Sequence, residues 1–268
     1  MTPDELLEVF HRRIRLPDAD AIPGWKQEHD GTVHRSYVDG PDGAGFVETP
    51  RGLGDDPDAV IARQVEFFRE RGLAFEWKTY AYDEPADLGQ RLVRAGFVEQ
   101  EPETLILGEV DRILQRPSAL PSKLRLREAD EDDFRRIAVL TDTLWHDGLE
   151  RVGERLAAEA RMFPDRLSVF LVEDALRGPD GPVVSAAWIR FHPGTGFASL
   201  WGGGTLPEWR RQGIYSALLV HRARLAQGRG YEFLRVDASA DSRPILQKLG
   251  LHAVTTTTPY EWEPDRRG

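Results

Sequence analysis

The stretch that decides the fold runs from Phe197 to Leu225 and reads FASLWGGGTLPEWRRQGIYSALLVHRARL. Its beginning, Phe197–Trp201, is short, apolar and partly aromatic, which is typical of a β-strand. Three glycines follow, and Pro207 cannot donate to a strand ladder. Beyond Gly213 the apolar residues recur at the spacing of one helix face. The stretch therefore predicts a strand, a turn and a helix that begins near Gly213.

The join between the strand and the helix carries the chemical signal. Arg210, Arg211, Gln212 and Gly213 occupy the positions where the first backbone N–H groups of a helix have no acceptor inside the helix. These donors, the helix dipole and the two guanidinium groups together favour a bound anion. Because Gly213 has no Cβ, a phosphate can approach the backbone closely. The sequence thus predicts a site for a diphosphate rather than for a carboxylate.

At these residues the sequence resembles the GNAT acetyltransferase superfamily, whose signature is Arg or Gln, two residues, Gly, one residue, then Gly or Ala. Arg210, Gly213 and Tyr215 occupy those three positions, and the large Tyr215 departs from the pattern. The resemblance implies that the helix-start amides bind the pyrophosphate of acetyl-CoA, the cosubstrate, provided that the Tyr215 ring points away. It also implies a strand bulge that opens a cleft, for which Gly202–Gly204 are suited.

The resemblance assigns residues to cofactor binding and leaves the catalytic residues unassigned, with no metal ligand. The cofactor-binding residues are Gly204, Thr205, Arg210, Arg211, Gln212, Gly213, Ile214, Tyr215, Ser216 and Ser239. Ser239 stands where relatives frequently have an asparagine that contacts CoA. A backbone N–H of Gly203, Gly204 or Thr205 would meet the oxyanion.

The general base and general acid of some relatives fall on Leu234 and Leu246, both of which are apolar here. The remaining titratable candidates near the cleft are Asp237, His192, Glu208 and Tyr260. None of them has a spacing that supports a role, so either water relays the proton or the reaction needs little help.

The region Leu144–Phe163 is predicted to be helical and overhangs the acceptor pocket in the family. Its candidate substrate contacts are Trp145, His146, Asp147 and Glu150. The alternative is that His146 and Asp147 form an ordinary hydrogen-bonded surface pair, which is the commoner occurrence.

Composition limits the possible classes of protein. The 268 residues allow one large or two modest domains. No segment approaches the ~20 apolar residues of a membrane span, and the N-terminal residues, which include Asp4 and Glu5, lack the basic-then-apolar pattern of a signal peptide. We therefore expect a cytoplasmic protein without a membrane partner. The absence of cysteine excludes an acyl-thioenzyme intermediate. Residues 1–120 carry 14 Lys and Arg against 24 Asp and Glu, which disfavours nucleic acid as a partner.

An internal similarity predicts two related halves. RGLAFEWKTYA from Arg71 parallels RGYEFLRVDAS from Arg229, and each is followed by a helix and a glycine. We therefore predict an α/β (α+β) protein with two GNAT-like domains, each a mixed, mostly antiparallel sheet flanked by helices. Residues 1–116 form a degenerate domain without a cofactor site, and residues 117–268 form the acetyltransferase domain.

The degenerate half is predicted from its charge, because three carboxylates at its helix start, those of Asp55, Asp56 and Asp58, would repel a pyrophosphate. The expected function is direct transfer of an acetyl group from acetyl-CoA to a small-molecule or peptide amine within a ternary complex. Two alternatives stay open: an acyl-CoA-binding regulatory module without turnover, and a structural or partner-binding protein with a relict fold.

Overall fold

The computed structural model describes residues 1–17, 25–40, 43–145, 149–177 and 181–264. They form two compact units, which are described separately. Unit 1 comprises Met1–Ile106, Asp237–Ile245 and His252–Gly268, and unit 2 comprises Leu107–Val236 and Leu246–Leu251. Among the described residues, no helix combines the length and the apolar character that a membrane span requires.

The described residues form eight α-helices. These are α1 (Pro3–Phe10), α2 (Pro57–Arg71), α3 (Leu88–Arg94), α4 (Val110–Leu114), α5 (Asp133–Trp145), α6 (Leu149–Met162), α7 (Ile214–Gly228) and α8 (Arg243–Lys248). A π-helical turn, His11–Arg15, continues α1, and short 3-10 turns cover Ala175–Arg177 and Pro207–Trp209.

The same part of the chain forms twelve strands. These are β1 (Lys26–Asp30), β2 (Val33–Val38), β3 (Ala44–Glu48), β4 (Ala74–Tyr80), β5 (Val98–Glu99), β6 (Glu103–Glu109), β7 (Leu124–Glu128), β8 (Leu167–Asp174), β9 (Val183–His192), β10 (Phe197–Thr205), β11 (Phe233–Ala238) and β12 (His252–Trp262).

Local sequence signals explain where several helices begin and end. Thr2 and Glu5 form a capping box at the start of α1, each side chain accepting a hydrogen bond from the other's backbone N–H. Asp56 caps α2 by accepting from the backbone N–H of Ala59 at 3.1 Å, and Gly72 ends α2 in the left-handed conformation with φ of 63°. These two signals account for the bounds of α2, Pro57–Arg71.

Unit 1 contains a sheet with the strand order β1-β2-β3-β4-β12, and β5 pairs with β12. Every pairing in this sheet is antiparallel except that of β3 with β4. Its core is rich in aromatic residues; those buried deepest include Phe68, Phe75, Trp77 and Phe97.

Unit 2 contains a sheet with the order β11-β10-β9-β8-β7, in which only β10 and β11 pair in parallel. Helices α5 and α6 pack against β8 and β9 through a core that includes Ile137, Leu156, Leu171 and Trp188. Helix α7 packs against β9 and β10. The predicted fold class, a mixed and mostly antiparallel α/β architecture flanked by helices, is confirmed.

The two units differ from the predicted sequential ranges 1–116 and 117–268. Strand β12, near the end of the chain, pairs with β4 from Thr257 opposite Tyr80 to Trp262 opposite Phe75. Trp262 buries its ring in the core of unit 1. The reason is that β12 needs a partner edge and an apolar core, and both are supplied by residues far away in sequence. The sequential division into two GNAT-like domains stays a prediction.

Two predicted element bounds also differ from the structure. The strand predicted to end at Trp201 continues to Thr205, because a bulge accommodates the glycines inside the strand. The helical region predicted at Leu144–Phe163 consists of the end of α5, which stops at Trp145, and of α6, which begins at Leu149. Residues 146–148 lie outside the described part of the chain.

Candidate active site

The triple glycine forms a bulge at the end of β10. Gly202 pairs with Ala187 of β9 and Gly204 pairs with Ala186, so Gly203 is one residue more than the ladder can pair. The φ angles of Gly202 and Gly203 are +68° and +86°, which lie in the region that favours glycine. The predicted bulge is confirmed.

Strands β10 and β11 pair over a short distance only. Within the described residues their parallel ladder joins Phe197–Ser199 to Phe233–Arg235, whereas β10 stays paired with β9 as far as Thr205. The backbone of β10 beyond Ser199 therefore has one neighbouring strand in unit 2. This opening lies directly before the bulge, as the resemblance implies for a cleft.

The start of α7 presents backbone donors. Gly213 caps the helix at φ of +80°, and the first backbone bond of the helix runs from the N–H of Ala217 to the C=O of Gly213 at 2.9 Å. Within the described residues, the N–H groups of Ile214, Tyr215 and Ser216 consequently have no backbone acceptor. A Cβ at Gly213 would lie 3.1 Å from the carbonyl oxygen of Ala119, so a larger residue is strained there.

The side chains of the turn before α7 have different roles. Arg210 donates from Nε to the C=O of Thr205 at 3.0 Å and so ties the turn to the end of β10. Gln212 makes a long contact of 3.4 Å to the C=O of Glu208. Arg211 is exposed, has a positive φ of 61° and makes no ion pair with any described residue. Of the two arginines, Arg211 is therefore the one whose charge is available to an anion.

Tyr215 lies against the bulge. Its Cε2 atom is 3.1 Å from the position that a Cβ on Gly203 would take, so the ring is directed at β10. Burial raises the pKa of the Tyr215 phenol, while the charge of Arg222 acts in the opposite direction.

Arg222 is a buried cation beside the same bulge. Only 2% of its surface is exposed, and its guanidinium donates to the carbonyl oxygens of Leu218, Trp188 and Trp201 at 3.1, 3.1 and 3.2 Å. Burial lowers its pKa to about 10. No described carboxylate forms an ion pair with it. The sequence analysis did not identify Arg222. The signal available was a charged residue on the apolar face of the helix, four positions after Leu218.

Helix α5 reaches the other side of the bulge. A Cβ on Gly204 would lie 2.5 Å from Leu144 and 2.9 Å from Trp145. Trp145, a predicted substrate contact, is thus next to the end of β10, with 44% of its surface exposed. His146, Asp147 and the side chain of Glu150 lie outside the described residues.

His192 belongs to a polar network of unit 2 that the sequence did not predict. The indole N–H of Trp201 donates to the Ser199 hydroxyl at 3.0 Å, and that hydroxyl lies 2.8 Å from Nε2 of His192. Burial, followed by the charges of Arg235, Arg190 and Arg166, lowers the pKa of His192 to about 3. A group of such low basicity is a poor general base.

The other predicted proton-transfer candidates have structural explanations. Leu234 and Leu246 are both fully buried in unit 2 and can transfer no proton. Asp237 belongs to unit 1, where it forms an ion pair with Lys78 at 2.7 Å. Tyr260, also in unit 1, is a buried residue of β12. Glu208 is exposed in a 3-10 turn.

The predicted cofactor residues from Gly204 to Ser216 meet within unit 2. Ser239 belongs to unit 1, and its hydroxyl is engaged with Ser242, accepting from the N–H of that residue at 3.4 Å. Its assignment to the cofactor stays a prediction.

The start of α2 contrasts with that of α7. Asp56 occupies the helix cap, and Asp58 forms an ion pair of 2.9 Å with Arg91. Asp55 is exposed beside them. One backbone donor of α2, the N–H of Ala59, is therefore already bonded to a carboxylate, and the local charge is negative, which opposes the binding of an anion.

A cavity of about 660 Å³ in unit 1 is a separate feature. It lies between the ends of β4 and β12 and the start of α3. Its buried charge, Asp83, is held by a bidentate contact with the fully buried Arg15 at 2.7 and 3.1 Å. The cavity contains none of the turn and helix-start residues of unit 2. The backbone donors of α7 and the exposed Arg211, which suit an anion, therefore lie outside this cavity.

The architecture of both units and the bulged strand before α7 define the class of fold as that of the GNAT N-acetyltransferases. Solved structures with this fold include a GCN5-related N-acetyltransferase from Kribbella flavida, 18% identical over 91% of each chain with a TM-score of 0.63. One from Sphaerobacter thermophilus is 15% identical over 87% of this chain and 76% of its own, also at 0.63. No family model and no curated protein sequence matches the chain.

The similar solved structures also include a protein with two GNAT domains in tandem. A tandem GNAT protein from the clavulanic acid biosynthesis pathway is 12% identical, covers 97% of this chain and 95% of its own, and has a TM-score of 0.59.

Proposed function

We propose that this protein is an acyltransferase that moves an acetyl group from acetyl-CoA to a small-molecule or peptide amine, directly within a ternary complex. The observation that carries the proposal is that unit 2 combines two features: backbone N–H groups without a backbone acceptor at the start of α7, and a bulge at the end of β10. The GNAT fold of the solved structures supports acyl transfer as the class of reaction.

The diphosphate of acetyl-CoA fits the donors of α7. The N–H groups of Ile214, Tyr215 and Ser216 point along the positive end of the helix dipole, and Gly213 leaves the backbone open to close approach. Arg211 supplies a free guanidinium at the same turn. The site thus has both the geometry and the charge that a diphosphate requires.

The bulge supplies a donor for the reaction itself. When the amine nitrogen attacks the thioester carbonyl carbon, negative charge develops on the carbonyl oxygen. Gly203 has no partner residue in the β9–β10 ladder, so its backbone N–H is the strongest candidate to meet this oxyanion. The adjacent N–H groups of Gly204 and Thr205 are the alternatives.

Only one of the two predicted halves is proposed to bind the cofactor. In residues 117–268 the helix start is cationic and open, whereas in residues 1–116 Asp56 and Asp58 occupy the equivalent position. We therefore assign the reaction to the second half and a noncatalytic role to the first.

A second candidate function is an acyl-CoA-binding module without turnover. The observation that favours it is the complete burial of Leu234 and Leu246, which leaves relatives' proton-transfer positions without a titratable group. Release of free thiol from acetyl-CoA in the presence of a panel of amines distinguishes the two functions. An enzyme consumes the thioester, and a binding module does not.

Replacement of Gly213 tests the cofactor site. We expect Gly213→Val to weaken acetyl-CoA binding at least tenfold, because the side chain both obstructs the phosphate and is strained at a positive φ. Calorimetric titration measures the affinity, and thermal unfolding verifies that the fold is kept. The matched control is Gly228→Val at the other end of α7, where an added Cβ meets no atom within 4 Å. If both variants bind acetyl-CoA with equal affinity, the assignment of the cofactor site to the start of α7 is wrong.

A further inference from the structure

We propose that the cavity of unit 1 binds a free α-amino acid, whose carboxylate is held by Arg94, whose ammonium group is held by Glu99, and to which the Tyr260 hydroxyl donates. All residues that line this cavity belong to unit 1, so the site is separate from the proposed acetyl-CoA site. Its volume of about 660 Å³ lies within the range of small-molecule sites. Binding of a ligand here does not depend on the reaction proposed above.

The cavity has two kinds of wall. One is helix α3, on which Gln90 and Arg94 are about one turn apart and so share a face. The other is formed by β12 and β5, where Thr258 and Tyr260 lie on one face of β12 and Glu99 is paired opposite Tyr260. A cation on the helix wall and a carboxylate with two hydroxyl groups on the strand wall therefore line the same cavity.

Tyr260 is the buried polar anchor of the cavity. Only 6% of its surface is exposed, yet its hydroxyl makes no hydrogen bond with any described residue. The hydroxyl oxygen is not enclosed by protein atoms, so it opens onto the cavity that the residue lines. A Cβ on Gly89 would overlap this oxygen, so glycine is needed for the phenol to lie against α3. A largely buried hydroxyl without a protein partner is costly unless a water or a ligand meets it.

The charges of the lining residues determine the class of ligand. Two carboxylates of the lining, those of Asp83 and Asp87, are each neutralised by an arginine, at 2.7 and 2.9 Å. Arg94 and Glu99 form no ion pair within the described residues, either with each other or with a third side chain. The cavity therefore offers a ligand one positive and one negative charge.

A zwitterion satisfies both of these charges at once. Its carboxylate can accept hydrogen bonds from the Arg94 guanidinium, and its ammonium group can donate to Glu99. A neutral sugar would leave both charges unused, and a polyanion would be repelled by Glu99. No group of three or more side chains among the described residues is suited to hold a metal ion. The apolar part of the lining, which includes Leu88 and Val93, is suited to the side chain of an amino acid.

Calorimetric titration of the protein with each of the common L-amino acids, up to about 10 mM, is the first test. We expect at least one of them to bind at one site per chain in the absence of acetyl-CoA. Its N-acetyl derivative lacks the ammonium charge and its amide lacks the carboxylate, so each should bind about tenfold more weakly. If no amino acid binds, or if both derivatives bind as tightly as the amino acid, the proposal is wrong.

Substitutions in the walls locate the site. Arg94→Gln and Glu99→Gln should each weaken amino-acid binding about tenfold, and Tyr260→Phe, which removes only the hydroxyl, about threefold. The matched control is Glu101→Gln, because Glu101 is exposed, two residues from Glu99 and outside the cavity lining. Thermal unfolding verifies that each variant keeps the fold.

The same variants separate this site from an acceptor site in unit 2. Acetyl-CoA affinity should be unchanged by Arg94→Gln and Glu99→Gln, because neither residue lies in unit 2. If an amino acid binds the original protein and these two variants equally well, it binds elsewhere and the assignment to this cavity is wrong. A loss in Glu101→Gln as large as that in Glu99→Gln would also contradict the assignment.

Discussion

Two buried carboxylates in unit 2 offer a quantitative test of how the chain is stabilised. Asp133 at the start of α5 receives a bidentate contact from Arg127 of β7, and Arg136 donates to the same carboxylate at 2.6 Å. Glu173 of β8 contacts Arg127 at 3.1 Å. Side-chain exposure is 2% for Asp133 and 1% for Glu173, so this cluster ties β7, β8 and α5 together away from water.

The expected magnitude follows from the Asp133 pKa. Burial acts to raise this pKa, but the hydrogen bonds from Arg127 and from the N–H of Asp130 outweigh it and lower the pKa from 3.8 to about 2. At 1.36 kcal/mol per pKa unit, the ionised carboxylate stabilises the folded state by about 2 kcal/mol at neutral pH. Asp133→Asn removes the charge at nearly constant size and should cost about that free energy of unfolding.

The pH dependence has a defined sign. Because the folded-state pKa is the lower one, the stabilisation is complete above pH 3.8 and is lost as the pH falls toward about 2. Urea unfolding of the original protein and of Asp133→Asn between pH 7 and about pH 2 should therefore give stabilities that converge at the acidic end. The control is Asp132→Asn, one residue away and exposed. A difference that does not change with pH, or one equal to that of the control, would refute the reasoning.

Two further predictions concern cofactor and mechanism. One acetyl-CoA should bind per chain in a calorimetric titration, because Asp56 and Asp58 close the helix start of α2; saturation at two equivalents would contradict this. The acetylation rate should rise with pH, and the apparent pKa of this rise should follow the basicity of each acceptor amine. The reason is that His192 is too weak a base to determine the apparent pKa. If the apparent pKa is the same for every amine, a group of the protein acts as the base. If an acetylated protein can be trapped, the transfer is not direct.

The bulge and the helix start could be predicted from the sequence because their signals are local. Glycine at residues 202, 203 and 213 is required by positive φ angles, and this requirement depends on the neighbouring few residues. Helix α2 is bounded by Asp56 and Gly72 for the same reason. Propensity, capping and periodicity act within one or two turns of chain, so a single sequence carries them.

The partners of buried polar groups could not be predicted in this way. Tyr215 contacts Gly203, and Arg222 donates to three carbonyl groups. Both features depend on how α7 packs against β9 and β10. The lowered pKa of His192 depends on its burial and on the charges of Arg235, Arg190 and Arg166, two of which lie far from it in the sequence. A pattern can mark these residues as unusual, but it cannot tell which atoms a side chain will meet.

The sequence by itself determined the strand, turn and helix of residues 197–225, the anion-compatible start of α7 and the carboxylates that oppose an anion at α2. The tertiary structure decided that β12 joins β4, and that Tyr215 and Arg222 meet the bulge of β10. The physical reason is the range of the forces involved. Backbone conformation and capping are settled between neighbours in the chain, whereas strand pairing and the burial of an aromatic ring or a charge are settled by residues that folding alone brings together.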